Sequence, residues 1–177
     1  MKHRDTLTVV IGPSGAGKST AITELVRRTN AERIRTETTR PRRDANDDDT
    51  HIFVSDTEFH TKVENGYYLG HGEMSGYSYG LPLLPDTDTP KIVPLRAPFI
   101  PEVLKYRPDA HIVQFEASVS TLVARLEERG DHDRANPEKL ALEIAIGRKF
   151  TNYIVSTDMP FEQSYALFQQ YWQQFRQ

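Results

Sequence analysis

The 177-residue chain contains no cysteine. That excludes a disulfide framework, a thiolate metal site and a cysteine nucleophile. It also lacks any apolar run near the ~18 residues that a membrane-crossing helix needs, so no membrane partner is expected. Only five apolar-rich positions follow Met1–Asp5, too few for a secretory segment, and a cytoplasmic setting is the expectation. Positive charge is not in surplus: 22 Lys and Arg stand against 25 Asp and Glu, a net charge of −3. No nucleic-acid partner is expected, and any anion site must be built locally. Internal repeats and low-complexity tracts are absent. With 37% hydrophobic and 27% charged residues, the composition is that of a folded domain rather than a disordered chain.

What is present is an alternation of strands and helices. Leu7–Ile11 is a β-branched run that reads as a buried strand. From Lys18, the apolar residues Ala21, Ile22, Leu25 and Val26 recur at helical spacing. Lys91–Val93, His111–Phe115 and Tyr153–Val155 are further short strands. Ser118 caps a helix carrying Val119, Leu122, Val123 and Leu126 on one face, with Gly130 as its stop. Pro137 suits the first turn of another helix, running to about Phe150. The last helix presents Phe161, Tyr165, Phe168, Trp172 and Phe175 as a core-packing stripe. Such alternation predicts an α/β fold with a central parallel sheet flanked by helices.

Residues 36–90 break the rhythm. An acidic loop (Asp44–Asp49), a strand-like His51–Val54, a short helix from Asp56 and a Gly/Tyr-rich stretch to Gly80 read as an insert with its own small sheet. Asp47–Asp49 read as a solvated loop, since no glycine or glutamate completes a calcium loop. Tyr77 and Tyr79 sit among glycines, a setting for ligand contact. Seven of the eleven prolines lie between Pro82 and Pro108, so that region reads as loop-rich.

Gly12-Pro13-Ser14-Gly15-Ala16-Gly17-Lys18-Ser19 matches GxxxxGK[ST] at every fixed position, after a strand and before a helix. The glycines let main-chain N–H groups turn inward around a phosphate with no Cβ in the way. The helix N-terminus adds partial positive charge. A lysine reaches the outer phosphates and a hydroxyl holds Mg²⁺. ATP or GTP binding is therefore expected at Gly12, Ser14, Gly15, Ala16, Gly17, Lys18, Ser19 and Thr20, with Ser19 as the metal ligand and Lys18 as a catalytic group.

Two arginine clusters follow. Thr38-Thr39-Arg40-Pro41-Arg42-Arg43 is either a surface basic patch or an anion site facing the donor, for which arginine's fork is suited. Arg125 and Arg129, four apart, share one helical face ahead of a polar loop. They are either a solvated helix end or part of a lid that stabilises charge on a transferring phosphoryl group.

These elements, in this order, resemble the guanylate kinase family. The resemblance rests on GPSGAGKST at 12–20, TTRPRR at 38–43, HIFVSDTEF at 51–59, GYSYG at 76–80, RLEERG at 125–130 and NYIVSTD at 152–158. It implies a P-loop kinase of one domain, with a core of about 1–35 and 91–177, an inserted acceptor-binding region of about 36–90 and a lid of about 129–139. The activity implied is ATP-dependent, Mg²⁺-assisted phosphorylation of GMP to GDP. By matched position, Arg40, Arg43 and Tyr79 hold the acceptor phosphate, and Arg125 and Arg129 are the lid arginines. His51 takes the place of a phosphate-binding tyrosine.

The departures from the family pattern lie on the base-reading side. Gly70 stands where a glutamate is usual and Leu81 where a hydroxyl is usual; Ile92–Arg96 carries no acidic group. A further lid-helix arginine is unmatched; Glu143 lies near its place, with Arg134 and Lys139 as substitutes. The related ribose 1,5-bisphosphate phosphokinases share the core and lack the glutamate. The small phosphorylated acceptor thus stands open between a nucleoside monophosphate and a sugar phosphate. A non-catalytic guanylate-kinase-like binding module is the third alternative, against which the intact phosphate loop argues.

Overall fold

The computed structural model describes residues 6–43, 45–85 and 87–176. Its core is a five-stranded, all-parallel sheet. The strands are β1 (Leu7–Ile11), β2 (Glu32–Arg33), β7 (Lys91–Pro94), β8 (His111–Glu116) and β9 (Tyr153–Ser156), in the spatial order β2-β7-β1-β8-β9. The intervening elements are α1 (Lys18–Arg28), α3 (Ile100–Tyr106), α4 (Val119–Glu128), α5 (Pro137–Gly147) and α6 (Phe161–Gln174). The period-two alternation of β1 explains the two-sided core. Leu7, Val9 and Ile11 face one apolar cluster with Ile100 and Val103 of α3, while Val10 faces the other with Leu25 of α1 and Phe168 and Trp172 of α6. Tyr165, Phe168 and Trp172 of the final aromatic stripe are therefore core and Phe175 packs against them partly buried, as the spacing predicts, whereas Phe161 is exposed at the start of the helix.

Chain order and spatial order diverge at β1, which is flanked by β7 and β8. In open α/β sheets, ligands bind beyond the carboxyl ends of strands at such a switch point. The phosphate loop leaves β1 there. The register Val10↔Pro94 puts Leu95 and Arg96, just past β7, beside Ile11 and Gly12.

The insert forms a separate four-stranded sheet of β3 (Thr36–Thr38), β4 (His51–Phe53), β5 (Tyr68–Met74) and β6 (Tyr77–Pro82), ordered β4-β3-β6-β5. Helix α2 (Asp56–Glu64) covers it, capped by the Ser55 hydroxyl, which accepts from the Glu58 N–H at 3.1 Å. β5 and β6 join through Ser75-Gly76, both at positive φ, as a two-residue hairpin turn requires.

Three expectations are corrected here. The proline-rich stretch after Pro82 contains α3, because Pro101 sits in its first turn, where proline's missing N–H costs nothing. The fifth helix stops at Gly147 rather than Phe150. Asp47 is not solvated: it is mostly buried against Arg40. Asp44, the first residue of the acidic loop, lies outside the described residues.

Candidate active site

One cleft lies between the two sheets. The phosphate loop borders it on one side; Arg40, Arg43, His51 and Tyr79 of the insert border it on the other. Arg129 and Arg134, from the segment joining α4 to α5, close the rim.

The loop is shaped by glycine where nothing else fits. Gly12 has φ +137, and a Cβ there would stand 2.0 Å from the Phe115 carbonyl oxygen. Gly17, at φ +82, turns the chain into α1. Lys18 Nζ donates to the Gly12 and Pro13 carbonyls, both at 2.7 Å, which holds the ammonium inside the loop. Burial, then the nearby Arg96 guanidinium, lowers its pKa to about 8, with Glu143 opposing. Ser14, Gly15, Ser19 and Thr20 also line the cleft. Ala16 is buried in the core behind the loop, so it contributes shape rather than a surface.

On the insert, Arg40 is 4% exposed and forks onto Asp47, with Nη1–Oδ2 at 3.0 Å and Nη2–Oδ1 at 3.1 Å. Asp47 also accepts the Arg43 backbone N–H at 2.7 Å. Burial works against the Asp47 carboxylate, but the Arg40 fork and the Arg43 N–H outweigh it and hold its pKa below the ordinary range. Asp47 of the acidic loop thus fixes the Arg40 guanidinium and the Arg43 main chain, two of the three arginines of the TTRPRR segment. Arg42 points outward to Asp48 and stacks over Phe53. Of the two tyrosines, Tyr79 lines the cleft, while Tyr77 is exposed at the hairpin tip.

His51 Nδ1 shares a 2.8 Å hydrogen bond with Thr36 Oγ1. Burial, then the Arg40 charge, lowers its pKa to about 4. His51 is therefore a neutral hydrogen-bonding group at pH 7, not a cation. Because the unfolded chain binds this proton near pH 6.5 and the folded chain only near 4, stability falls as the pH drops through that window. An NMR titration of the imidazole is expected to show a midpoint near 4; a midpoint near 6.5 contradicts this environment.

Arg125 and Arg129 part company. Arg125 Nη1 donates to the Gly15 carbonyl (3.1 Å) and Thr157 Oγ1 (2.9 Å), and Nη2 to the Thr157 carbonyl (2.6 Å). It fastens the underside of the phosphate loop to the end of β9 and does not line the cleft. Arg129, one turn later, does. Arg125→Ala is expected to cost about 2 kcal/mol, since charged hydrogen bonds are lost and the buried carbonyls stay behind. Thermal denaturation checks this; a variant with unchanged stability and only a lower kcat would return Arg125 to the lid.

Arg96, which neither spacing nor motif singled out, and Arg134, one of the two substitutes for the unmatched lid arginine, complete the site. Arg96, past β7, lines the cleft and pairs with Glu143 of α5 at 3.2 Å. Arg134 lines it too, paired with Asp131 at 3.3 Å. Lys139 does not. Among the described residues no helix is long and apolar enough to cross a membrane.

A parallel sheet with a phosphate loop at its switch point, facing an inserted sheet that carries paired arginines, defines a P-loop kinase fold. Comparison with known proteins agrees. The guanylate kinase family model matches residues 4–83. The chain is 32% identical to a guanylate kinase of Thermobifida fusca over 165 residues, covering 86% of this chain and 84% of that one. It is 34% identical to a guanylate kinase of Streptomyces kasugaensis over 169 residues, covering 88% and 82%. The crystal structure of guanylate kinase from Anaplasma phagocytophilum shares the fold, with a TM-score of 0.71 at 20% identity, covering 99% of this chain and 86% of that chain. The chain belongs to the guanylate kinase family.

Proposed function

We propose that this chain is an ATP-dependent guanylate kinase that transfers the γ-phosphoryl group of ATP to the phosphate of GMP. The observation that carries the reading is the single cleft in which the phosphate loop faces Arg40, Arg43 and Tyr79, with Arg129 at the rim. The relatives of similar length that share about a third of its residues are guanylate kinases, which does not favour a sugar-phosphate acceptor or a non-catalytic module.

The loop residues fit a triphosphate: glycines at positive φ, Gly12 with no room for a Cβ, the start of α1 and an enclosed ammonium. The Ser19 hydroxyl, beside Lys18, would hold Mg²⁺, which would neutralise phosphate charge. The attacking acceptor oxygen is already anionic, so no strong general base is needed. A bond forms from that oxygen to the γ-phosphorus as the β–γ bridging bond breaks, and ADP leaves with the electron pair. Lys18, Arg96 and Arg129 offset the charge that accumulates between the two phosphates; Arg40, Arg43 and Tyr79 fix the acceptor. Movement of the 129–139 segment over the cleft excludes water and limits hydrolysis. A cytoplasmic setting fits this nucleotide chemistry.

The test is ADP release from ATP and Mg²⁺ with GMP present and absent. Rapid release only with GMP is expected; release with ribose 1,5-bisphosphate and none with GMP overturns the reading.

A further inference from the structure

Among the described residues, three arginine–carboxylate pairs line the cleft. Two are local: Arg40 with Asp47, and Arg134 with Asp131. The third, Arg96 with Glu143, joins residues 47 apart in sequence. It ties the end of β7 to α5, the helix that follows the 129–139 segment.

The backbone at Arg96 is fixed independently of its side chain. The Leu95 N–H donates to the Val10 carbonyl and the Phe99 N–H to the Arg96 carbonyl, both at 3.0 Å. Residue 96 is thereby anchored at the carboxyl edge of the core sheet, beside the phosphate loop. From there its guanidinium lies within electrostatic reach of Lys18 on the loop and of His51 on the insert. It stands between the two walls of the cleft. An arginine has several rotatable bonds, and a neighbouring ammonium repels it toward water. Glu143 opposes that drift. Its Oε1 accepts one N–H, from Nη1 at 3.2 Å, and the other guanidinium donors have no partner among the described residues.

The pair does little for the fold. Its side chains are 39% and 38% exposed, and exposed ion pairs add little stability. A carboxylate in a cleft lined by arginines also works against the binding of phosphate. Its presence beside Arg96 needs a reason other than folding.

We propose that Glu143 is a positioning residue for phosphoryl transfer, holding the Arg96 guanidinium between the loop and the insert so that it bridges donor and acceptor phosphate oxygens. The inference rests on the guanylate kinase reading and adds to it the group that aims Arg96. Arg96 touches the phosphates; Glu143 acts only through Arg96.

The experiment measures kcat, both KM values and the thermal midpoint, by coupled ADP release from ATP and GMP and by thermal denaturation. The proteins are the wild type, Glu143→Ala, Glu143→Gln, Arg96→Ala and the double variant Arg96→Ala/Glu143→Ala. Glu143→Ala is expected to lower kcat about tenfold and to leave both KM values within about twofold, because a misplaced group costs the transition state most. Its midpoint should stay close to that of the wild type, since alanine suits a helix interior. Glu143→Gln keeps an acceptor of the same reach and should recover part of the loss. Arg96→Ala should lower kcat by about 10². The double variant should be no worse than Arg96→Ala, because its second change removes only what acts through the first. Multiplied losses in the double variant, an unchanged or raised kcat in Glu143→Ala, or a lowered midpoint with kcat intact overturns the inference and leaves the guanylate kinase reading standing. A wild type that releases no ADP with GMP overturns both.

Discussion

Lys18→Ala is expected to lower kcat/KM for ATP by about 10³ while leaving the thermal midpoint of the nucleotide-free protein nearly unchanged. The side chain gives its ammonium to the Gly12 and Pro13 carbonyls at 2.7 Å, inside a loop whose other lining groups are neutral main chain and hydroxyls. Nothing in that loop replaces its charge. Although burial lowers its pKa to about 8, the group is still mostly a cation at neutral pH. Alanine is well tolerated at a helix start, so folding is spared. Lys18→Arg is not expected to rescue, because a planar fork does not fit where a point charge sits under two carbonyls. Steady-state kinetics and the ATP-induced thermal shift check both halves; near-normal turnover would take Lys18 out of the mechanism.

Arg40→Ala should fail in two ways at once. Its guanidinium is nearly inaccessible and doubly bonded to Asp47, so truncation strands a mostly buried carboxylate and is expected to cost about 3 kcal/mol. In the proposed function it also removes the cation that would receive, with Arg43, the acceptor phosphate, and kcat/KM for GMP is then expected to fall by about 10² to 10³. The double variant Arg40→Met/Asp47→Asn separates the two effects. Stability should return, since no unpaired charge is left, while turnover of GMP should not. A double variant that regains GMP turnover would make Arg40 a purely structural residue.

How much of this was legible in the sequence follows from which interactions are local. The phosphate loop is defined within eight consecutive residues and their flanking strand and helix, so its place and shape are readable directly. The alternation of β1, β8 and β9 with their helices is equally local. By contrast, the Arg40–Asp47 fork depends on a turn that folds an acidic cluster back under the TTRPRR segment, and a run of aspartates has the composition of a solvated loop. Helical spacing places Arg125 and Arg129 on one face, yet Arg125 meets Thr157 across a separation of 32 residues, and only the sheet brings β9 there. Helix α3 hides behind Pro98, Pro101 and Pro108. Glu102 of α3 and Phe99 just before it pack on Gly70 and Gly72 of β5, contacts that no periodicity announces. Arg96 carries no motif; its position beside Gly12 comes from the β1–β7 register.

The central claim is that donor and acceptor phosphates meet in one cleft between the phosphate loop and the paired arginines of the insert. Calorimetric titration with a bisubstrate analogue, adenosine joined to guanosine through a chain of five phosphates, tests it most directly. One analogue should bind per chain, at least about 10²-fold more tightly than ATP or GMP alone, and either nucleotide should displace it. Binding no tighter than that of ATP, or binding that GMP leaves undisturbed, would place the two anion sites apart and contradict the account.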